Sequence, residues 1–236
     1  MVTDDNSLTL TNGELLVTGR LVDASNATLY ATSTLDERSI VCIYKPTAGE
    51  RPLWDFADGC LAHREYAAFL VSQHLGFNLV PLTVLRDGPY GYGMVQEWID
   101  IDEGIDLAKF FATDHPRLRS MALFDAIINN TDRKIGHLLP VNHQTVFGCD
   151  HGVTFHSDDK LRTVLWQWAD VPFTTEEIDL LRKAQSELAG QLGELLTPLL
   201  TEIEIGETVR RVSALLDSGR FPLPNPDWPA VPWPAF

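Results

Sequence analysis

Basic residues are scarce in this chain. Its 236 residues hold 18 lysines and arginines against 33 aspartates and glutamates, a formal net charge of −15. So acidic a surface repels nucleic-acid phosphates and has no general attraction for an anionic membrane. Long apolar runs are missing too: none reaches the ~20 residues that a helix needs to cross a bilayer. The start, Met1-Val2-Thr3-Asp4-Asp5, has neither the basic nor the apolar region of a secretory leader. The expectation is a cytoplasmic protein with no transmembrane segment and no nucleic-acid partner. Cysteine is limited to Cys42, Cys60 and Cys149, an odd number without close pairing. That argues against a disulfide framework or a zinc knuckle and leaves small buried apolar side chains. A glycine-rich phosphate loop is also lacking. Gly88, Gly91 and Gly93 do not follow GxGxxG spacing and no helix comes after them, so a tight hairpin accounts for them.

What is present reads as two halves of different character. The apolar share of 44% is ordinary for a globular chain, and the length allows one domain of two lobes or two small domains. In the first half, Leu8–Leu10 form a short apolar segment, Asn12-Gly13 a turn, and residues 14–20 a strand. Leu29–Thr34 and Ser39–Tyr44 flank the charged connection Asp36-Glu37-Arg38 as an antiparallel meander, which ends on Lys45-Pro46. Residues 62–75 have helical composition and close on Gly76. Residues 79–86 and 94–99 form a hairpin about the turn at 87–93. Trp54 and Phe56, in the loop before the helix, either pack that loop down or stack on a ligand.

The acidic stretch 100–106 marks the lobe boundary. The second half is mostly helical: Pro116 opens a helix running to about Asn130, and Thr174 with Glu177 makes a capping box for a helix that Pro198 interrupts. A last helix spans about Glu204–Ser218 and ends at Gly219. The expected division is therefore 1–99, a β-meander with one helix; 100–221, a helical lobe; and 222–236, a proline- and tryptophan-rich arm. The arm either packs on the domain through Trp228, Trp233 and Phe236 or binds a partner.

The chemistry gathers in the second half. Asn129-Asn130-Thr131-Asp132-Arg133-Lys134-Ile135-Gly136-His137 follows an apolar helix, and the short strand Val146–Cys149 delivers Asp150-His151-Gly152. Two carboxylates on neighbouring loops, each fixed by an apolar element behind it, suit phosphoryl transfer: one orients the attacking group while the other holds a metal. Neighbouring carboxylates repel unless a cation joins them. In the first half, Lys45 ends a strand and Glu65 lies on the next helix. Lys45 is either a solvated strand terminus or the partner of Glu65, aimed at phosphates.

These motifs resemble the catalytic and metal-binding loops of the phosphatidylinositol 3/4-kinase superfamily, notably the type II phosphatidylinositol 4-kinases and the related HipA-type kinases. Over nearly its whole length the chain is similar to an actinobacterial phosphatidylinositol-kinase-like group, the SCO1664 family. Pro52–Phe56, Leu79-Val80-Pro81, Asn129–Lys134 and Val231–Pro234 carry that likeness. The resemblance implies an α+β, bilobal protein-kinase-like fold with ATP between the lobes. Lys45 would then contact the phosphates, Glu65 would orient it, and Gln96, Glu97 and Trp98 would form a hinge whose backbone reads adenine. Asp132 would be the catalytic aspartate, with Arg133 beside it in the same motif, and Asp150 the principal ligand of Mg²⁺ or Mn²⁺. Ser25 and Asn26 fall where the phosphate-covering turn would lie, and their amides and the Ser25 hydroxyl would bind phosphate as a nest. One position departs from the pattern. The superfamily commonly has a metal-binding asparagine five residues after the catalytic aspartate, and here that residue is His137. It is read as a second metal ligand, with a phosphate-holding role, a one-metal site, lost catalysis or a structural histidine as alternatives.

The functional expectation is an ATP- and divalent-metal-dependent phosphotransferase acting on a protein, small-molecule or lipid hydroxyl. No basic amphipathic helix or polybasic cluster singles out a lipid. The alternatives are a pseudokinase serving as a nucleotide-binding scaffold and an enzyme that transfers AMP.

Overall fold

Two-residue alternation builds the first sheet. In β3 (Arg38–Pro46) Ile40, Cys42 and Tyr44 are buried while Val41 is exposed, so Lys45 falls on the opposite face from the Tyr44 core position. The computed structural model describes residues 5–21, 26–51, 53, 55–56 and 59–236. The expected turn at Ser25 and the residues Pro52 and Trp54 therefore lie outside the described residues. The meander is present as β1 (Glu14–Arg20), β2 (Leu29–Leu35) and β3, and the hairpin as β4 (Thr83–Gly88) and β5 (Gly91–Glu97). All pair antiparallel in the order β1-β2-β3-β5-β4.

One element at the start was not expected. Leu8–Leu10 belong to a helix, α1 (Asp5–Asn12), which carries Leu10 into the sheet's own core with Leu15, Cys42, Tyr44 and Val95. The short helix has Asp5 in its first turn, where the helix dipole favours it. Gly13 then lets the chain pass against Ser33: a Cβ there would lie 2.6 Å from the Ser33 hydroxyl oxygen.

The helix α2 (Leu61–Leu75) ends at Gly76 in the left-handed conformation, φ 87°, as the sequence expects. Its first turn is capped from a distance. The Glu50 carboxylate accepts hydrogen bonds from the Leu61 and Ala62 amides, each 2.9 Å.

The second half is helical, with α3 (Leu107–Phe110), α4 (Pro116–Ile128), α5 (Thr175–Leu188), α6 (Gln191–Leu196) and α7 (Glu202–Ser218). A two-stranded ribbon, β6 (Leu138–Pro140) with β7 (Val146–Gly148), interrupts them. The helix expected to run to Pro198 breaks earlier, at Ala189-Gly190, where glycine is a poor helix former. Both α5 and α7 begin with capping boxes, Thr174 with Glu177 and Thr201 with Glu204.

Two apolar clusters organise the molecule, a small one inside the sheet lobe and a large one in the helical lobe. The large cluster takes in Ala67, Ala68 and Val71 of α2 together with α4, α5 and α7. The fold is α+β and bilobal, and the cleft between sheet and helices is where the charged side chains meet. No helix among the described residues is long and apolar enough to cross a membrane.

Candidate active site

Lys45 and Glu65 do pair. Lys45 Nζ lies 2.7 Å from Glu65 Oε1 and 2.9 Å from Asp150 Oδ1. Three segments, spread over 105 residues of sequence, thus converge on one ammonium group. Burial works against the Lys45 charge, but the carboxylates of Asp150 and Glu65 override it and hold the pKa above the ordinary lysine value. The same ammonium depresses the Asp150 carboxyl well below the usual range. Glu65, itself 1% exposed, uses its other oxygen to accept the His151 amide at 2.9 Å. One carboxylate therefore ties α2 to both the sheet lysine and the Asp150 loop.

Asp150 is held in the left-handed region, φ 60°, a conformation that costs a non-glycine residue energy and recurs at functional sites. Its side chain is half exposed to the cleft. Asn26, Pro46, Glu50, Leu61 and Gly152 line the cleft around Lys45, Glu65 and Asp150. The Asn26 carboxamide oxygen accepts the Arg51 amide at 2.9 Å.

The loop after α4 is built on its polar residues. Asn129 ends the helix in the left-handed conformation and donates to the His156 and Asp158 carbonyls. Asn130 Oδ1 accepts the Asp132 amide at 3.0 Å, while its amide group donates to Asp125. Asp132 then sits between two cations, with Lys134 Nζ 3.1 Å from Oδ2 and Arg162 Nη2 3.7 Å from Oδ1. Burial nevertheless outweighs Lys134 and raises its pKa. Asp150 is near enough to add to that rise.

Arg133 is the first correction. Expected among the catalytic residues, it is wholly buried, donating to both Asp125 oxygens, to the Cys149 carbonyl and to His151 Nε2 at 2.7 Å. It fastens the two loops together from behind and faces no open space.

The hinge is the second, and only for its amides. β5 is an inner strand, so its end is already bonded: the Glu97 amide donates to Leu82 O at 2.8 Å and the Trp98 amide to Val41 O at 3.0 Å. Gln96 is buried with its side chain on Thr83. The amides of Glu97 and Trp98 are thus unavailable to a base.

His137 is the third. Its Nδ1 accepts the Lys134 amide at 3.4 Å, and Nε2 lies 3.5 Å from Asp150 Oδ2. Burial pushes its pKa down to about 4, so the ring is neutral. With Nδ1 as an acceptor the ring proton is on Nε2, which is the form that does not bind a metal there.

Sequence reasoning missed Asp125, His151 and Arg162. Asp125 had a signal, since a carboxylate inside Ala-Leu-Phe-Asp-Ala-Ile-Ile must find a buried cation. Arg162 had none, because it depends on the pairing of Thr163 beside Arg133.

The donor set suits a hard cation held with the help of a ligand. Among the described residues, no group of three or more His, Cys, Asp or Glu side chains converges to hold a metal ion by itself. A half-exposed carboxylate such as Asp150 fits Mg²⁺ or Mn²⁺, which are bound through one or two carboxylates plus phosphate oxygens.

A small antiparallel sheet, a helix glutamate bonded to a sheet lysine, and two acidic loops on a helical lobe define a kinase-like fold. The structure of the Golgi casein kinase with Mn/ADP bound matches 91% of this chain and 76% of its own, with a TM-score of 0.61 at 16% identity. A second structure of the Golgi casein kinase matches with a TM-score of 0.56 at 15% identity, over 91% of this chain and 74% of its own. The chain belongs to the family of protein Rv2133c of Mycobacterium tuberculosis (strain ATCC 25618 / H37Rv). The two are 44% identical over 268 residues, which cover 99% of this chain and 96% of the relative. No protein-family model matches the chain.

Proposed function

We propose that this protein is an ATP-dependent phosphotransferase of the phosphatidylinositol 3/4-kinase-like kind, acting on a hydroxyl of a protein, small molecule or lipid. The convergence of Glu65 and Asp150 on Lys45, with Asp132 on the adjoining loop, carries the reading. Nucleotide between the lobes puts its phosphates against Lys45, which Glu65 aims and keeps charged. Asp150 would hold Mg²⁺ or Mn²⁺, which would supply charge neutralisation on the phosphate oxygens. Asp132 takes the proton of the acceptor hydroxyl; its raised pKa suits a base closer to neutrality than an ordinary aspartate. Lys134 and Arg162 hold that carboxylate in place between them.

Two variants test it. Asp150→Asn should weaken metal-dependent nucleotide binding at least tenfold by calorimetry. Asp132→Asn should bind nucleotide nearly as wild type does and lose ~10²–10⁴-fold in turnover. Basal ATP hydrolysis serves as the assay, with water as a poor acceptor. Normal binding with no hydrolysis in the wild type would favour a pseudokinase. Covalent products carrying adenylyl instead of phosphoryl in intact-mass spectra would favour AMP transfer.

A further inference from the structure

His137 stands where the resemblance implies a second metal ligand, and its surroundings decide what it can do there. A backbone amide only donates, so the contact of the Lys134 N–H with Nδ1, 3.4 Å, fixes Nδ1 as an acceptor. A neutral imidazole then has its one proton on Nε2. That nitrogen faces Asp150 Oδ2 at 3.5 Å, the oxygen that Lys45 does not bond. The ring has little room to turn. Its side chain is 14% exposed, and the His137 carbonyl accepts the Cys149 amide at 3.1 Å, tying its loop to the end of β7. Shifting the proton to Nδ1 would set two donors face to face at Lys134.

Resting on the kinase reading above, we propose that His137 is a positioning residue which points an N–H at Asp150, so that the cleft takes one divalent cation instead of two. The positive charge that a second ion would supply comes from the fixed side chains Lys45, Lys134 and Arg162, which stand within hydrogen-bond or ion-pair distance of Asp150 and Asp132. The cation would be a hard, oxygen-preferring one, because the lone pair that Asp150 Oδ2 does not turn to His137 and the nucleotide phosphates would hold it and no imidazole lone pair is offered.

The test counts and inspects Mn²⁺ on the full chain with a saturating non-hydrolysable ATP analogue. Free-Mn²⁺ electron paramagnetic resonance should show one bound ion per chain, and pulsed spectra should lack the coupling of a directly bonded histidine nitrogen. In His137→Asn, whose amide oxygen is a ligand for such ions, a second ion should bind. Two ions on the wild type, or a bonded-nitrogen signal that vanishes in His137→Asn, would overturn the inference. A single ion in both proteins would overturn the claim that His137 is what excludes the second. Absence of any nucleotide-dependent Mn²⁺ would overturn the kinase reading itself. The wild-type spectra decide the ligand question even where the variant fails to fold.

Discussion

Asp132 costs the fold something. Burial raises its pKa from the ordinary 3.8 in spite of Lys134, so the folded chain holds that proton more tightly than the unfolded one. The stability this contributes is fully present below the unfolded pKa and is lost as pH rises through the folded value. Asp132→Asn should therefore melt at or above the wild-type temperature at pH 7, with the difference vanishing near pH 4; marked destabilisation at pH 7 would contradict this. The Asp125–Arg133 pair behaves differently. Removing Arg133 alone strands a buried carboxylate, so Arg133→Ala should cost ~3–5 kcal/mol in denaturant unfolding. Asp125→Leu combined with Arg133→Met should lose less than either single change. Asp132, Asp150, Lys45 and Glu65 were legible because their residue types are informative in strand, helix and loop context. Arg133 was not: its neighbours in sequence place it in a catalytic motif, and only the buried Asp125 two turns back explains where its guanidinium goes.

At the scale of elements, caps and alternation were legible and packing was not. The strands β2 and β3, the glycine ends of α2 and α7 and the Thr174 capping box rest on local chemistry, which a sequence displays. The helix α1 was hidden because Leu8–Leu10 are too short a run to show a period. The bonded amides at the hinge were hidden because they require β5 to be an inner strand. The C-terminal arm shows the same limit. It packs, but not through all the aromatics expected: Trp233 is 93% exposed and Phe236 63%. The attachment is mostly backbone, with Ile135 N donating to Ala235 O and Thr163 N to Ala230 O, while Trp228 lies against Lys160 at 4.9 Å. Trp233→Ala should leave unfolding within ~0.5 kcal/mol of wild type. Trp228→Ala should lower stability by ~1–3 kcal/mol, a loss of apolar contact and of a cation over the ring. Equal effects of the two would mean that the arm is held in some other way.

At the scale of the whole molecule, buried neutral histidines set an acid limit. Burial lowers the His137 pKa to about 4, and burial with Arg133 beside it lowers His151 well below the ordinary 6.5. The unfolded chain takes up these protons first. The stability is present above about pH 6.5 and falls as pH drops toward 4. Calorimetry in metal-free buffer should show the melting temperature declining across that window, the opposite trend to the Asp132 contribution. A flat profile from pH 6.5 to 4 would show that the two rings are not held neutral. Bilobal architecture was legible in the change from strand to helix near residue 100; the tie that Glu65 makes between α2, Lys45 and His151 was not, because it joins residues 20 and 86 positions apart.

The position of Trp228 also gives the protein an optical reporter. The indole ring lies 5.9 Å from the Arg162 guanidinium, and Arg162 holds Asp132. Light emitted by that ring is sensitive to the cation beside it, so a ligand drawing Arg162 away from Asp132 changes the colour or intensity of the emission. Trp233, standing in solvent on the same arm, supplies a signal that the event does not touch. With Trp54, Trp98, Trp166 and Trp168 replaced by phenylalanine, movement of Arg162 can thus be followed in real time without labelling the chain.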